Sequence, residues 1–548
     1  MEERAKVYST TNRKAYWEIE AKKTFFKYLR SEGYYGHTME VEIPEVSNQI
    51  NFNITLGPRY TISDITNTYV EGSNTKINIL KYYKFGIAKG DYAIAQNILD
   101  AEKKLLEYIE NKNCILTMSI SHEATINHDD KTVGIKFLID AGPNTTLEKV
   151  EFTGLKTIKP EYVRKLVKLK DGYCLKQSYI NDARENLLQS GLFASTDLIV
   201  PEHVKKDGSV PIIFDLNERK THSFKAGAAY DTAIGPELKF GWENRNLFGS
   251  GENLKSEIKG NLKEQIISLD YTKPFYKRDD QTLKLGISYE KSYEDKKLKP
   301  YAIKQTIISS SIERELTKNW TAGVGVELTH SKVKKFELSS SAADKNYSLI
   351  STPLFASYDA RNNRLDPKKG HLIEFESTPY FSLANKEKPF LKSQVSASTY
   401  FASKTKFLPI LAIRAATGTI SGAGQRGVPE NARFYVGGNN SLRGYAFQSA
   451  SDLDANNRPK GGKSFFETNI EVRLKVNSSI GVVGFLDSGY AYDSIKPQPN
   501  KNLLYGAGFG VRYLSTFGPI RFDIGFPLKR RKFADKSYQL YFGIGQSF

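Results

Sequence analysis

From about residue 221 to its end the chain alternates. In GPIRFDIGFPL (518–528), Ile520, Phe522, Ile524 and Phe526 fall on one face, and Arg521, Asp523 and Gly525 on the other. TAGVGVELTH (321–330) sets Ala322, Val324, Val326 and Leu328 against Gly323, Gly325 and Glu327. The closing YQLYFGIGQSF sets Tyr538, Leu540, Phe542 and Ile544 against Gln539, Tyr541, Gly543 and Gly545. Period two is the mark of a strand with two unlike faces. A large soluble sandwich alternates this way too. Arg, Asp and Glu recur against Phe and Ile, however, with lone glycines on the polar face. That pattern favours a closed barrel around a wide polar lumen.

Hydropathy agrees. No apolar run approaches the length of a spanning helix; the best, FLPILAI (407–413), ends at Arg414. Helical spans are excluded, whereas barrel strands average out as mildly polar. Mean hydropathy is −0.46, and 32 Tyr and 31 Phe stand against 3 Trp, which suits pleated surfaces and interfacial girdles. The net charge of +18 is spread along the chain, with a small basic knot at KRRK (529–532). Such a charge suits anionic lipid head groups or nucleic acid, but its spread favours a solvated surface, and no nucleic-acid partner is expected. Cys114 and Cys174 make no disulfide framework and are expected to be small buried hydrophobes. MEERAKVYSTTNRKAYW has no apolar core and is no secretory signal. With a membrane barrel downstream, a longer natural N-terminus is expected.

The first 220 residues have another rhythm. LGPRYTISDI (56–65) is echoed by AGPNTTLEKV (141–150), the Gly-Pro pairs 85 residues apart. Amphipathic helices end near Gly33, Asn113 and Gly191, at steps of 80 and 78, each a residue that can take φ > 0 at a helix C-terminus. The period predicts small repeated domains, each strand–helix–helix–strand–strand. Val133, Ile135, Phe137 and Ile139 share one face of a closing strand. The expected divisions are a partial unit at 1–58 (second helix and two strands only), complete units at 59–143 and 144–220, and a barrel at 221–548.

Chemistry is sparse. GGKS (461–464) has Asn457 where a phosphate loop needs glycine. His122-Glu123 lacks the second histidine of a zinc site, and GSG (249–251) lacks the frame of a nucleophile elbow. The expectation is a non-enzyme with no cofactor and no metal.

Six motifs occur in order: WENRNLFGSGENL (242–254), YTKPFY (271–276), YDARNNRLDPKKGHLIEFE (358–376), RFYVGGNNSLRGY (433–445), FLDSGYAYD (485–493) and GPIRFDIGFPL. The ordered set resembles the outer-membrane assembly-factor superfamily over nearly the whole chain. The first motif and three POTRA-like units are most similar to the TamA branch, which supplies the outer-membrane subunit of the translocation and assembly module. The resemblance implies α+β POTRA domains in the periplasm and a sixteen-stranded antiparallel outer-membrane barrel. It also implies a long loop near 429–463 folded into the lumen. Leu442–Arg443–Gly444–Tyr445 matches the tip of that loop, and Asp487 and Glu471 match its acidic partners on the wall, with Glu467 close by. A guanidinium withdrawn from water needs such carboxylates in any case. Implied partners are client outer-membrane or secreted proteins, a periplasm-spanning inner-membrane-anchored protein, and outer-membrane lipids.

The working mechanism is a barrel seam that opens sideways. The strand near 221–231 must meet the last strand, and Gly227, Tyr538, Gly543, Gly545 and Phe548 are placed at that seam. Glycines weaken pairing there, so that a client strand can add to the edge. The competing readings are a general barrel insertase, a two-partner secretion exporter using the lumen as a conduit, and an enzyme housed in a barrel.

Overall fold

The computed structural model describes residues 10–42, 51–71, 82–199, 205, 207–232, 234–293, 301–335, 345–364, 366–384, 388–403, 409–424, 427–455, 457–515, 518–544 and 546–548. It divides into an N-terminal unit and a barrel unit.

In the N-terminal unit, helix Thr10–Ser31 precedes an antiparallel hairpin, Thr38–Glu42 with Asn51–Thr55. A three-stranded sheet follows, with Thr132–Ala141 central, Thr61–Tyr69 parallel on one side and Met118–Asn127 antiparallel on the other. Helix Ala95–Lys112 covers it. Its Ile98, Ala101, Leu105 and Ile109 recur every three or four residues and are buried with Val133, Ile135, Phe137 and Ile139. Ahead of this helix stands a 3-10 turn, Tyr82–Phe85. The next domain repeats the sheet order with Thr146–Thr153, Ser209–Glu218 and Phe193–Ile199, and carries helices Pro160–Val167 and Gln177–Gln189.

Two expectations are corrected here. Cys114 and Cys174 are joined in a disulfide, Cα atoms 5.1 Å apart. Spacing hid it because the two belong to successive domains. The linker draws them together: Thr145 N–H donates to the Cys114 carbonyl (2.6 Å), and Leu175 N–H donates to the Thr145 carbonyl (3.0 Å). Asn113, unlike Gly33 and Gly191, is not left-handed; its φ is −125°. The chain must leave the helix extended, because Ile115 bridges Asn144. The Asn113 side-chain amide caps the helix instead, donating to the Ile109 carbonyl (2.9 Å).

In the barrel unit, seventeen strand segments among the described residues form sixteen antiparallel strands and close on themselves. The eighth strand is broken at Thr352–Pro353 into Lys345–Ser351 and Leu354–Asp359, and both halves pair with the same two neighbours. Proline has no N–H for the ladder, and a break is the physical result. Alternation runs as the residues dictate. Val324, Val326, Leu328, Ile470, Val472 and Phe522 are exposed on the outer face, whereas Arg521 and Asp523 are buried inside.

Candidate functional site

The segment between the eleventh strand (Ile410–Ser421) and the twelfth (Ser464–Lys475) is long enough to turn back into the lumen. Val436, Leu442, Tyr445 and Ala450 are buried there with Tyr490 and Ala491 of the thirteenth strand, Ile480–Tyr492. Ser441 fixes the turn: its hydroxyl donates to Glu467 (2.6 Å) and accepts from Gly437 N–H (3.1 Å). Gly444 then takes φ +97°, a conformation that side chains rarely adopt. Its backbone lies on a ledge without side chains. A β-carbon at Gly506 would collide with the Arg443 carbonyl, and one at Gly525 with Gly444 itself. The lone glycines on the polar face are therefore a seat for the loop.

Arg443 is 1% exposed. Its Nε and Nη2 donate to the two oxygens of Asp487 (2.7 and 2.8 Å), and its backbone N–H reaches the same carboxylate (3.1 Å). Nη1 donates to Glu471 (2.6 Å) and to the Ser547 hydroxyl (3.1 Å), and the guanidinium carbon stands 3.6 Å from the Phe485 ring centre. Burial alone would disfavour the charge. Asp487 and Glu471 outweigh it, and the pKa of Arg443 is raised. Glu467 pairs elsewhere, with Arg414 (2.5 Å) and Ser441.

Around this pair lies a ring of groups that the motifs did not name. Arg473 donates to Glu471 (2.8 Å) and to the backbone oxygen of Phe548 (3.0 Å). Arg512 pairs with Asp523 and donates to Gln546 (3.1 Å); Arg521 donates to Ser547 (2.5 Å) and Asn440 (2.9 Å). Their positions on polar strand faces were visible, but their partners come from two separate strands, the docked loop and the last residues. Only closure of the barrel brings them together.

The first strand (His222–Asp231) and the sixteenth (Gln539–Ile544) are neighbours. They share two residue pairs, Tyr541 with Asp231 and Phe542 with Tyr230. First and second strands share ten, and fifteenth and sixteenth share six. Thr232 adds a clasp at the same end, donating from its N–H to the Leu540 carbonyl (3.3 Å) and from its hydroxyl to Gln539 (2.5 Å).

The seam glycines are corrected. Gly227 faces Lys239 of the second strand, and Gly543 faces Arg521 of the fifteenth. Neither stands in a seam pair: pairing with the first strand stops at Phe542 with Tyr230, although the sixteenth strand itself runs on to Ile544. Tyr538 precedes the strand and is exposed; Gly545 lies outside the described residues. Phe548 does not extend the strand. Gln546, Ser547 and Phe548 are held in the lumen by Arg512, Arg443, Arg521 and Arg473, whose donors replace ladder partners. The seam meets the arginine loop at Tyr541, whose hydroxyl accepts from Gly444 N–H (3.1 Å) and donates to the Tyr445 carbonyl (3.2 Å).

Residues 246–548 match the Omp85 superfamily domain, and residues 145–219 match the POTRA family, described as surface antigen variable number repeat. The outer membrane protein assembly factor BamA of Nitratidesulfovibrio vulgaris is 23% identical over 531 residues, 93% of this chain and 65% of that protein's length. The protein of the same name from Neisseria meningitidis is 23% identical over 492 residues, 78% of this chain and 60% of its own. Among solved structures, BamA of Haemophilus ducreyi lacking POTRA domains 1–3 has a TM-score of 0.66 at 18% identity, covering 88% of this chain and all of that one. CdiB of Acinetobacter baumannii has a TM-score of 0.53 at 13% identity, covering 96% and 97%. These likenesses are of fold, and the matched domain accounts for more than half of the sequence. The chain belongs to the Omp85 superfamily, as an outer-membrane β-barrel of sixteen strands with a POTRA domain before it in the sequence.

Proposed function

We propose that this chain assembles client outer-membrane proteins by opening its barrel between the first and sixteenth strands. The observation that carries the reading is the seam of two residue pairs in a barrel whose neighbouring joints hold six to ten. A barrel that only conducts is better served by full closure, since an unpaired backbone group facing lipid costs several kcal/mol. One that inserts strands needs a joint that opens at tolerable cost and an edge whose backbone groups accept a client strand. The action needs no catalytic residue, and the reading is non-enzymatic.

Within the superfamily, the named relatives support a general insertase of the BamA kind. The narrower TamA-like role, with a periplasm-spanning inner-membrane partner, rests on the WENRNLFGSGENL motif and the run of POTRA domains. The disulfide in the N-terminal unit fits an oxidising periplasm.

A cross-link tests the mechanism. Tyr230 and Phe542 are directly paired, and cysteines at both lie within disulfide reach. Oxidised Y230C/F542C should stay folded and stop assembling clients in proteoliposomes, and reduction should restore the rate. Reduced wild type is the control for the Cys114–Cys174 bond. A locked barrel working at the normal rate would favour the conduit reading.

A further inference from the structure

The basic knot KRRK lies in the connection between the fifteenth strand (Gly518–Pro527) and the sixteenth. Strand direction puts this connection at the end of the barrel opposite His222, the outer side. Its base is rigid. Arg531 pairs with Asp535 (2.8 Å) and donates to the carbonyls of Ser449 (2.9 Å) and Ser451 (3.1 Å) in the docked loop. The Lys529 carbonyl accepts from Tyr445 (2.8 Å).

What that base presents is unusual. Lys529, Arg530, Lys532 and Lys536 are exposed, and among the described residues no carboxylate pairs with any of them. Phe533 stands between them at 85% exposure and φ 65°, a conformation disfavoured for a bulky side chain. Lys532 Nζ lies 5.1 Å from its ring centre. Leu528 and Tyr538, exposed at the two ends of the connection, continue the outward faces that carry Phe526 and Phe542. Arg530 donates to the Ser537 hydroxyl (3.0 Å) and Lys536 to the Thr232 carbonyl (3.4 Å). Four such cations, without a carboxylate partner among the described residues, therefore stand with an upright aromatic where the apolar belt meets the surface. Cations near an anionic bilayer and aromatic rings at its interface are both favourable there. A soluble acidic protein would satisfy the charges but not the alignment with the belt.

We propose that Leu528–Tyr538 binds the phosphorylated head group of an anionic outer-leaflet lipid through Lys529, Arg530, Lys532 and Lys536, with Phe533 entering the acyl region beside the seam. The proposal rests on the barrel spanning the membrane. A failure of that premise would show separately, as loss of the barrel's protection from proteinase in vesicles in every variant.

The test uses the full chain in detergent, titrated with bisphosphorylated lipid A, with the same lipid stripped of phosphate, and with inorganic phosphate, counting adducts by native mass spectrometry. The phosphorylated lipid should bind at least ten-fold more tightly than the stripped one. K529Q/R530Q/K532Q/K536Q should weaken it at least ten-fold, and F533S several-fold. K277Q/K368Q/K369Q, at the opposite end, should bind as wild type. The loop substitutions spare Arg531, and heat-modified mobility on gels checks that each variant is folded. Equal binding by the quadruple variant, equal loss in the opposite-end control, or displacement by millimolar inorganic phosphate would each overturn the proposal.

Discussion

Two structures hold the closing strand of this barrel. At one, Arg443 is gripped by two carboxylates, a hydroxyl and an aromatic face, with its backbone on a glycine ledge. At the other, the first and sixteenth strands share two residue pairs and a threonine clasp. They meet at Tyr541, which pairs with Asp231 on its backbone and bonds the loop tip through its hydroxyl. The contrast shows how a barrel can keep a weak joint. On the proposed mechanism, the strand that releases its neighbour is braced from the lumen, so opening the joint need not unravel the strand.

Removing the brace should have the largest effect. Arg443→Ala strands Asp487 in the interior and leaves Glu471 with Arg473 alone, and breaking a buried pair costs about 3–5 kcal/mol. We expect a lower thermal midpoint in detergent, proteolytic cleavage within 429–463, and weakened client assembly. Arg443→Lys keeps the charge but loses the side-on grip of Asp487 and should fall between Ala and wild type.

The disulfide lies in neither region and shows whether losses stay local. Cys114→Ser with Cys174→Ser should destabilise the N-terminal unit by about 2–4 kcal/mol and leave the barrel's own melting transition in place. Gly506→Ala attacks the ledge without touching a charge. Overpacking of this kind typically costs about 1–3 kcal/mol, and loop proteolysis should rise as it does for Arg443→Ala. Thr232→Val should be smallest, about 1 kcal/mol, with a faster or unchanged assembly rate. A Thr232 variant as damaging as Arg443→Ala would erase the distinction between brace and joint.

Much of this was readable in the chain, and for definite reasons. The barrel was legible because outward Phe522 and inward Arg521 and Asp523 obey period two, which needs only local geometry. Glu471 and Asp487 were legible as partners of Arg443 through the family resemblance, whose wall positions they match; the need of a buried guanidinium for carboxylates agrees with that but does not by itself select them. The glycines were read as weakness in the seam, whereas Gly506 and Gly525 make room for a backbone. Spacing cannot tell an absent side chain that loosens a strand from one that admits a neighbour. Ser547 and the Phe548 oxygen escaped notice because an inward turn of the last residues is decided by distant arginines. The disulfide escaped because it joins two repeats rather than closing one.

Residue-resolved amide hydrogen exchange of the barrel in detergent tests the central claim most directly. The account predicts that along 222–229 alternate amides, those facing the sixteenth strand, exchange fast. The intervening amides, bonded to the second strand, should exchange slowly, as should the amides of Ser464–Lys475 beneath the docked loop. Uniform slow exchange along 222–229, as deep as in Ser464–Lys475, would mean a fully paired seam and would contradict it.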